Sequence, residues 1–176
     1  MLGFGSVGSL AASLFAAWGC DVAYWSRHPR PDAPVPWLDM PTLFARSDVL
    51  VSCLPRTPET TGLIGAAELA ALPAGAIVVD VGRGGVLDLT ALIAALDAGH
   101  LTGAALDVYP TEPLPTDHPL RTHERVLLSP HAAGAASQAV ERVIGQSVAN
   151  IRRVLDGEPV RDVVNGISPM VTRRGC

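Results

Sequence analysis

Along the chain, short apolar runs rich in Val, Ile and Leu alternate with Ala-rich stretches whose apolar positions recur at helical spacing. Gly, Pro or Asp separates one from the next. The short runs predict buried strands at Asp21–Trp25, Asp48–Pro55, Gly75–Gly82, Thr102–Tyr109 and Arg125–Pro130. The helical stretches fall at Val7–Trp18, Met40–Arg46, Ala66–Leu72, Asp88–Ala98 and Ser137–Leu155, of which the last is the longest and most amphipathic. Strand and helix taking turns in this way predicts an α/β fold built on a parallel sheet. Pro29–Pro36, with four prolines, reads as a loop, and the absence of any period beyond Asn165 predicts a disordered tail over 166–176. There is no internal repeat.

Composition narrows the setting. A chain of 176 residues, 48% hydrophobic and 17% charged, is long enough for one globular domain with a real core. The 13 basic residues are all Arg and stand against 17 acidic ones, with no basic run. Nucleic acid and anionic membrane surfaces are therefore not expected partners. Cys20, Cys53 and Cys176 are odd in number and far apart, which predicts neither a disulfide framework nor a metal site. With no charged-then-apolar leader and no apolar run long enough to span a membrane, the expected compartment is the cytoplasm.

Candidate chemistry begins at the first residues, MLGFGSVG, where Gly3, Gly5 and Gly8 form a G-x-G-x-x-G loop. Alone, such a loop fits a plain helix entry as well as a nucleotide site. Here it leads into an Ala-rich helix, whose first N–H groups and dipole favour a pyrophosphate. The next predicted strand ends at Ser26, eighteen positions after Gly8, where a dinucleotide fold recognises the ribose. An NAD site places Asp or Glu there to accept from the 2′-hydroxyl. This chain has Ser26 and Arg27 instead, a pair that suits a 2′-phosphate and predicts a preference for NADP(H) over NAD(H), the plainer reading of Arg27 being a solvated surface side chain.

Four further stretches, CLPRTPETTGLIG (Cys53–Gly65), VVDVGRGGVLD (Val78–Asp88), GAALDVYPTEPLP (Gly103–Pro115) and LLSPHAAG (Leu127–Gly134), occur in order. Together with the glycine loop they resemble the nucleotide-binding domain of the D-isomer-specific 2-hydroxyacid dehydrogenases, from Gly3 to about Asn165. The resemblance implies a Rossmann-type doubly wound parallel sheet with helices on both faces. It also implies an oxidoreductase that moves a hydride between NAD(P) and a 2-hydroxy acid/2-oxo acid pair. Such a reduction needs a cation to hold the carboxylate and polarise the carbonyl, and a donor to protonate the carbonyl oxygen. Arg83, after an apolar strand and before Gly84-Gly85, suits the first role. His131 suits the second, with Glu112 orienting the imidazole. The family uses this Arg, Glu, His trio.

By the same resemblance, Ser6 and Val7 offer backbone N–H groups to the pyrophosphate and Asp107 meets the nicotinamide end. Cys53, Leu54, Pro55, Thr60, Val81, Gly82, Arg83, His131 and Gly134 complete the expected cofactor contacts, with no metal. Cys53 reads as a small apolar residue without a neighbour to lower its pKa, His118 and His123 as solvated, and Trp18, Trp25 and Trp37 as packing residues.

In the family a substrate domain precedes the glycine loop. Here the first strand is reduced to about Met1–Phe4, so the expected domain is 1–165, truncated at that strand, with 136–165 carrying the helix that returns to an absent substrate domain. Exposed apolar surface then predicts a homo-oligomer. A misplaced start, a gene fragment and a stand-alone cofactor module all remain open. So, correspondingly, do an oxidoreductase domain and a dinucleotide-binding module without turnover.

Overall fold

A computed structural model describes residues 1–163. It divides into two compact units, Met1–His131 and the residues from Ala132 onward. The tail expected beyond Asn165 lies outside the described residues.

The first unit holds helices α1 (Ser6–Ala17), α2 (Met40–Arg46), α3 (Ala66–Ala70) and α4 (Leu89–Asp97). Its strands are β1 (Val49–Ser52), β2 (Ala76–Asp80), β3 (Leu101–Leu106) and β4 (Val126–Leu128), with a 3-10 turn at Pro119–Thr122. The second unit contributes α5 (Ser137–Asp156), which ends on Gly157 at φ 75°. Local chemistry sets several of these limits. The Asp39 carboxylate caps α2 through Thr42 N–H at 2.8 Å, and the Asp88 carboxylate caps α4 through Thr90 and Ala91 N–H. α3 stops short of the expected Leu72 because Pro73 disfavours helical geometry in the residue before it.

The four strands are parallel and lie in the order β1-β2-β3-β4. Met1–Gly3 runs along the outer side of β1: Leu2 N–H donates to Val51 O, and Cys53 N–H donates to Leu2 O, both at 2.8 Å. On its other side, Gly3 N–H donates to Trp25 O and Trp25 N–H to Met1 O, and Tyr24 bridges in turn to Trp37. The resulting order, Trp37, Trp25, Leu2, then β1 to β4, is that of a doubly wound fold. The strand expected at Asp21–Trp25 is corrected: it is reduced to isolated bridges at Tyr24 and Trp25. Beside these bridges the Met1 nitrogen donates to Ala23 O at 2.8 Å.

Alternate strand residues feed two cores. Leu50, Val78, Ala104 and Leu106 join Leu43, Leu69, Leu92 and Leu96 from α2, α3 and α4 on one face of the sheet. On the other face Val51 packs with Phe4, Ala12 of α1 and Tyr24, the Phe4 and Tyr24 rings stacking at 3.8 Å. Beyond α1 this second face is open: Leu127, in one register row with Val51, Val79 and Ala105, is 76% exposed. Trp18 is also corrected. At 75% exposed it ends a row with Val7, Leu10 and Leu14 on the outer side of α1 and meets the Phe15 ring in a T-shaped contact.

Candidate active site

The carboxyl ends of the parallel strands carry the expected trio. Arg83 follows β2, Glu112 lies in the loop after β3 and His131 follows β4. His131 Nδ1 is 2.7 Å from Glu112 Oε2, while the other carboxylate oxygen accepts from Tyr109 N–H at 3.0 Å. These two bonds, that of His131 first, hold the Glu112 carboxyl below the usual glutamate range. His131 itself sits at φ 55°, a left-handed conformation that a residue with a β-carbon holds only when its surroundings impose it. The pair opens into a cavity of about 520 Å³ lined also by Tyr109, Leu114, Arg121 and Ser129.

Arg83 is exposed and one of its terminal nitrogens donates to Gly82 O at 2.7 Å. Its loop is pressed onto that of Glu112 because a β-carbon on Gly84 would lie 1.8 Å from the Tyr109 carbonyl oxygen. The same close approach recurs nearer the glycine loop. A β-carbon on Gly82 would lie 2.5 Å from Leu54 O, one on Gly8 2.2 Å from Gly3 O, and Gly3, at φ 98°, abuts the Cys53 carbonyl. At Gly5, by contrast, a β-carbon would meet nothing within 4 Å, and no side chain caps α1. Gly5, Ser6 and Val7 are exposed there, so the first-turn N–H groups face an open, electropositive helix end.

The remaining expected contacts have varied surroundings. Ser26 Oγ donates to His28 O, and Arg27 lies 3.8 Å from Glu59, both side chains largely solvated. Leu54 is buried, Val81 half-buried and Pro55 exposed. Thr60 Oγ1 donates to Pro55 O at 2.7 Å and accepts from Thr57 N–H, so its hydroxyl orders its own loop. Burial pushes the Cys53 thiol up, as suits a packing residue. Asp107 is buried and accepts from Ser129 Oγ at 2.5 Å. Gly134 belongs to the second unit. Of the histidines read as solvated, His123 is corrected: its Nε2 lies 3.3 Å from Asp97, and only 15% of its side chain is exposed. His118 Nδ1 accepts from Leu120 N–H at the start of the 3-10 turn.

Four residues were not singled out by the sequence. Tyr109 and Ser129 connect the ends of β3 and β4, and Arg121 binds the carbonyls of Leu114 and Pro115. Arg30 lies over the Phe4 ring at 5.9 Å, with its N–H donating to the Tyr24 hydroxyl. Each depends on segments meeting in space, and only the second basic residue in YWSRHPR was a visible cue.

Asp80 sits beneath this edge, 2% exposed, and burial raises its carboxyl to about 6 despite the Gly82 N–H that it accepts. A raised folded-state pKa means that the fold holds this proton more tightly than the unfolded chain does. Stability therefore falls as pH rises from about 4 to about 6, and the full cost, about 3 kcal/mol, applies above that. Asp80→Asn is expected to stabilise the fold by about 1–3 kcal/mol at neutral pH and by little near pH 4, as measured by denaturant unfolding. Equal effects at both pH values would contradict this account.

The comparisons agree with the fold. The family model described as "D-isomer specific 2-hydroxyacid dehydrogenase, NAD binding domain" matches residues 1–133, and the chain belongs to that family. D-3-phosphoglycerate dehydrogenase of Mycobacterium bovis is 37% identical over 94% of this chain and 32% of its own length. A D-isomer specific 2-hydroxyacid dehydrogenase from Xanthobacter autotrophicus, solved with NADPH and MES, is 44% identical with a TM-score of 0.84, covering 93% of this chain and 69% of that one. The NADPH-dependent glyoxylate/hydroxypyruvate reductase of Sinorhizobium meliloti, solved with NADP and sulfate, is 34% identical with a TM-score of 0.85, covering 93% and 54%. The chain spans about a quarter to about half of the length of the curated relatives it matches. Among the described residues, no helix is long and apolar enough to cross a membrane, and no group of His, Cys, Asp or Glu could hold a metal ion.

Proposed function

We propose that residues 1–165 form the cofactor-binding domain of an NAD(P)H-dependent enzyme that interconverts a 2-oxo acid and its 2-hydroxy acid. The observation that carries this is the 2.7 Å Glu112–His131 pair, on strand ends shared with Arg83, in a chain whose first helix begins uncapped after a glycine loop. The cradle suits a dinucleotide: glycines close the loop where a side chain would strike backbone, and space remains open at Gly5. Gly3, Gly5, Ser6, Val7 and Gly8 would hold the pyrophosphate, with Cys53 to Pro55, Val81, Gly82 and Asp107 along the nucleoside moieties. When bound, the reduced cofactor supplies the hydride.

The chain's own residues do the rest. The Glu112 carboxylate accepts from Nδ1 of His131, which leaves Nε2 to protonate the carbonyl oxygen as it becomes the alcohol. Arg83 keeps most of its guanidinium fork for the substrate carboxylate, one nitrogen being tied to Gly82 O. The test is oxidation of NADPH with a panel of small 2-oxo acids. Turnover supports the assignment, whereas tight cofactor binding with no turnover on any of them favours a binding module.

NADPH is the expected cofactor, through Ser26 and Arg27. A charge-assisted bond to a 2′-phosphate contributes about 1.5–3 kcal/mol, so Arg27→Ala is expected to weaken NADPH about tenfold or more and to leave NADH unchanged. Fluorescence titration of both cofactors decides it, and equal affinities in the parent chain would reject the preference. A homo-oligomer is proposed from the exposed rows on α1, on the β4 side of the sheet and on α5, where Val143 is 65% and Ile151 59% exposed. Sedimentation at increasing concentration is expected to show self-association, and a persistent monomer would argue against it.

A further inference from the structure

We propose that Tyr109 is a positioning residue for the Glu112–His131 pair, its N–H fixing the carboxylate and its phenol fixing the strand end that carries the imidazole. The phenolic oxygen lies 2.9 Å from Leu106 O, at the end of β3, and 2.8 Å from Ser129 O, two residues before His131. Its single proton is shared between them, just beyond the Ser129 N–H bond to Leu106 O that ends the β3–β4 ladder. The main chain of the same residue donates to Glu112 Oε1 at 3.0 Å. One side chain and its own backbone therefore hold both halves of the pair, and Gly84 presses against the Tyr109 carbonyl from the far side.

The charged groups around the phenol are Asp107, Glu112 and Arg121. Burial, the largest influence on the phenol, raises its pKa and keeps it a donor throughout the range in which Glu112 titrates. Phenylalanine would fill the same volume and preserve the N–H bond, yet would remove the donor to Ser129 O. His131 has a left-handed backbone that needs outside support, so losing this tether should let the imidazole drift from Glu112 without unfolding the sheet.

This role rests on His131 being the proton donor, but its test does not depend on turnover. In the full 176-residue chain, NMR follows the His131 Nδ1 proton and the Glu112 side-chain carboxyl. The parent is expected to show a slowly exchanging low-field imidazole N–H and a Glu112 titration below the ordinary range. Tyr109→Phe is expected to broaden away the N–H signal and to move the Glu112 midpoint up toward the usual value, with Glu112→Gln as the control that abolishes the N–H signal. A Tyr109→Phe protein with both signals as in the parent overturns the proposal. Should that variant fail to fold, 3-fluorotyrosine can label the chain's two tyrosines in otherwise native protein. The Tyr109 fluorine signal is expected to move with the Glu112 titration and to lose that movement in Glu112→Gln, and a signal indifferent to Glu112 overturns the proposal. A chain that never turns over leaves these spectra intact, so the two failures are distinguishable.

Discussion

In a preparation that reduces a 2-oxo acid, His131→Ala is expected to lower turnover by about 10²–10⁴-fold, with cofactor affinity nearly unchanged. The imidazole is the group held by Glu112 at 2.7 Å, and alanine removes it and leaves Oε2 of that carboxylate without its imidazole donor. Arg83→Ala should act differently. In its proposed role the guanidinium serves both carboxylate capture and carbonyl polarisation, so substrate affinity and turnover should fall together. The pair also sets a pH limit. Because the Glu112 carboxyl lies below its ordinary range, the contribution of its charge is present above the unfolded-state pKa and is lost only as pH falls through the depressed folded value. Full activity of His131→Ala in steady-state assays would remove the histidine from its assigned role.

Gly84→Ala is expected to be among the most destabilising single changes in the chain, on the order of 3 kcal/mol or more by denaturant unfolding. A β-carbon there would lie 1.8 Å from Tyr109 O, 2.0 Å from Tyr109 C and 2.7 Å from Pro110 N, all backbone atoms. Tyr109 cannot yield easily, since its phenol and its N–H are both bonded. The Arg83 loop must move instead, so the residual folded protein should also lose activity. Gly5→Ala is the control: with nothing within 4 Å of the new methyl, it should cost no more than about 1 kcal/mol. Similar losses for the two variants would show that the contact at Gly84 is not tight.

The parts of this arrangement legible in the sequence are those encoded locally. The apolar runs place β1 to β4, and the Asp39 and Asp88 caps agree with helices expected at Met40–Arg46 and Asp88–Ala98. GRGG, DVYPTEP and SPH each stand at a strand end, so the placement of Arg83, Glu112 and His131 along the carboxyl edge was readable from order and motif. What escaped was contact between distant segments. The fully buried Tyr24 and Leu2 belong to stretches whose partners are single bridges, so a five-residue run at Asp21–Trp25 looked like a strand that the sheet does not extend along it. Trp18 looked like core because it is large and apolar, yet it falls on the outer row of α1. His123 and Asp97 are 26 positions apart, and no local pattern announces their pairing.

The glycine contacts at the carboxyl edge have a mechanical consequence. Gly3 on Cys53, Gly82 on Leu54 and Gly84 on Tyr109 bring four successive loops into backbone-to-backbone approach. Such an edge is expected to flex as one plate. Its amides should exchange with solvent together, at the free energy of a shared opening. New ligand preferences are thus most readily accommodated at the plate's rim, where a changed side chain does not transmit its displacement to Arg83 or His131.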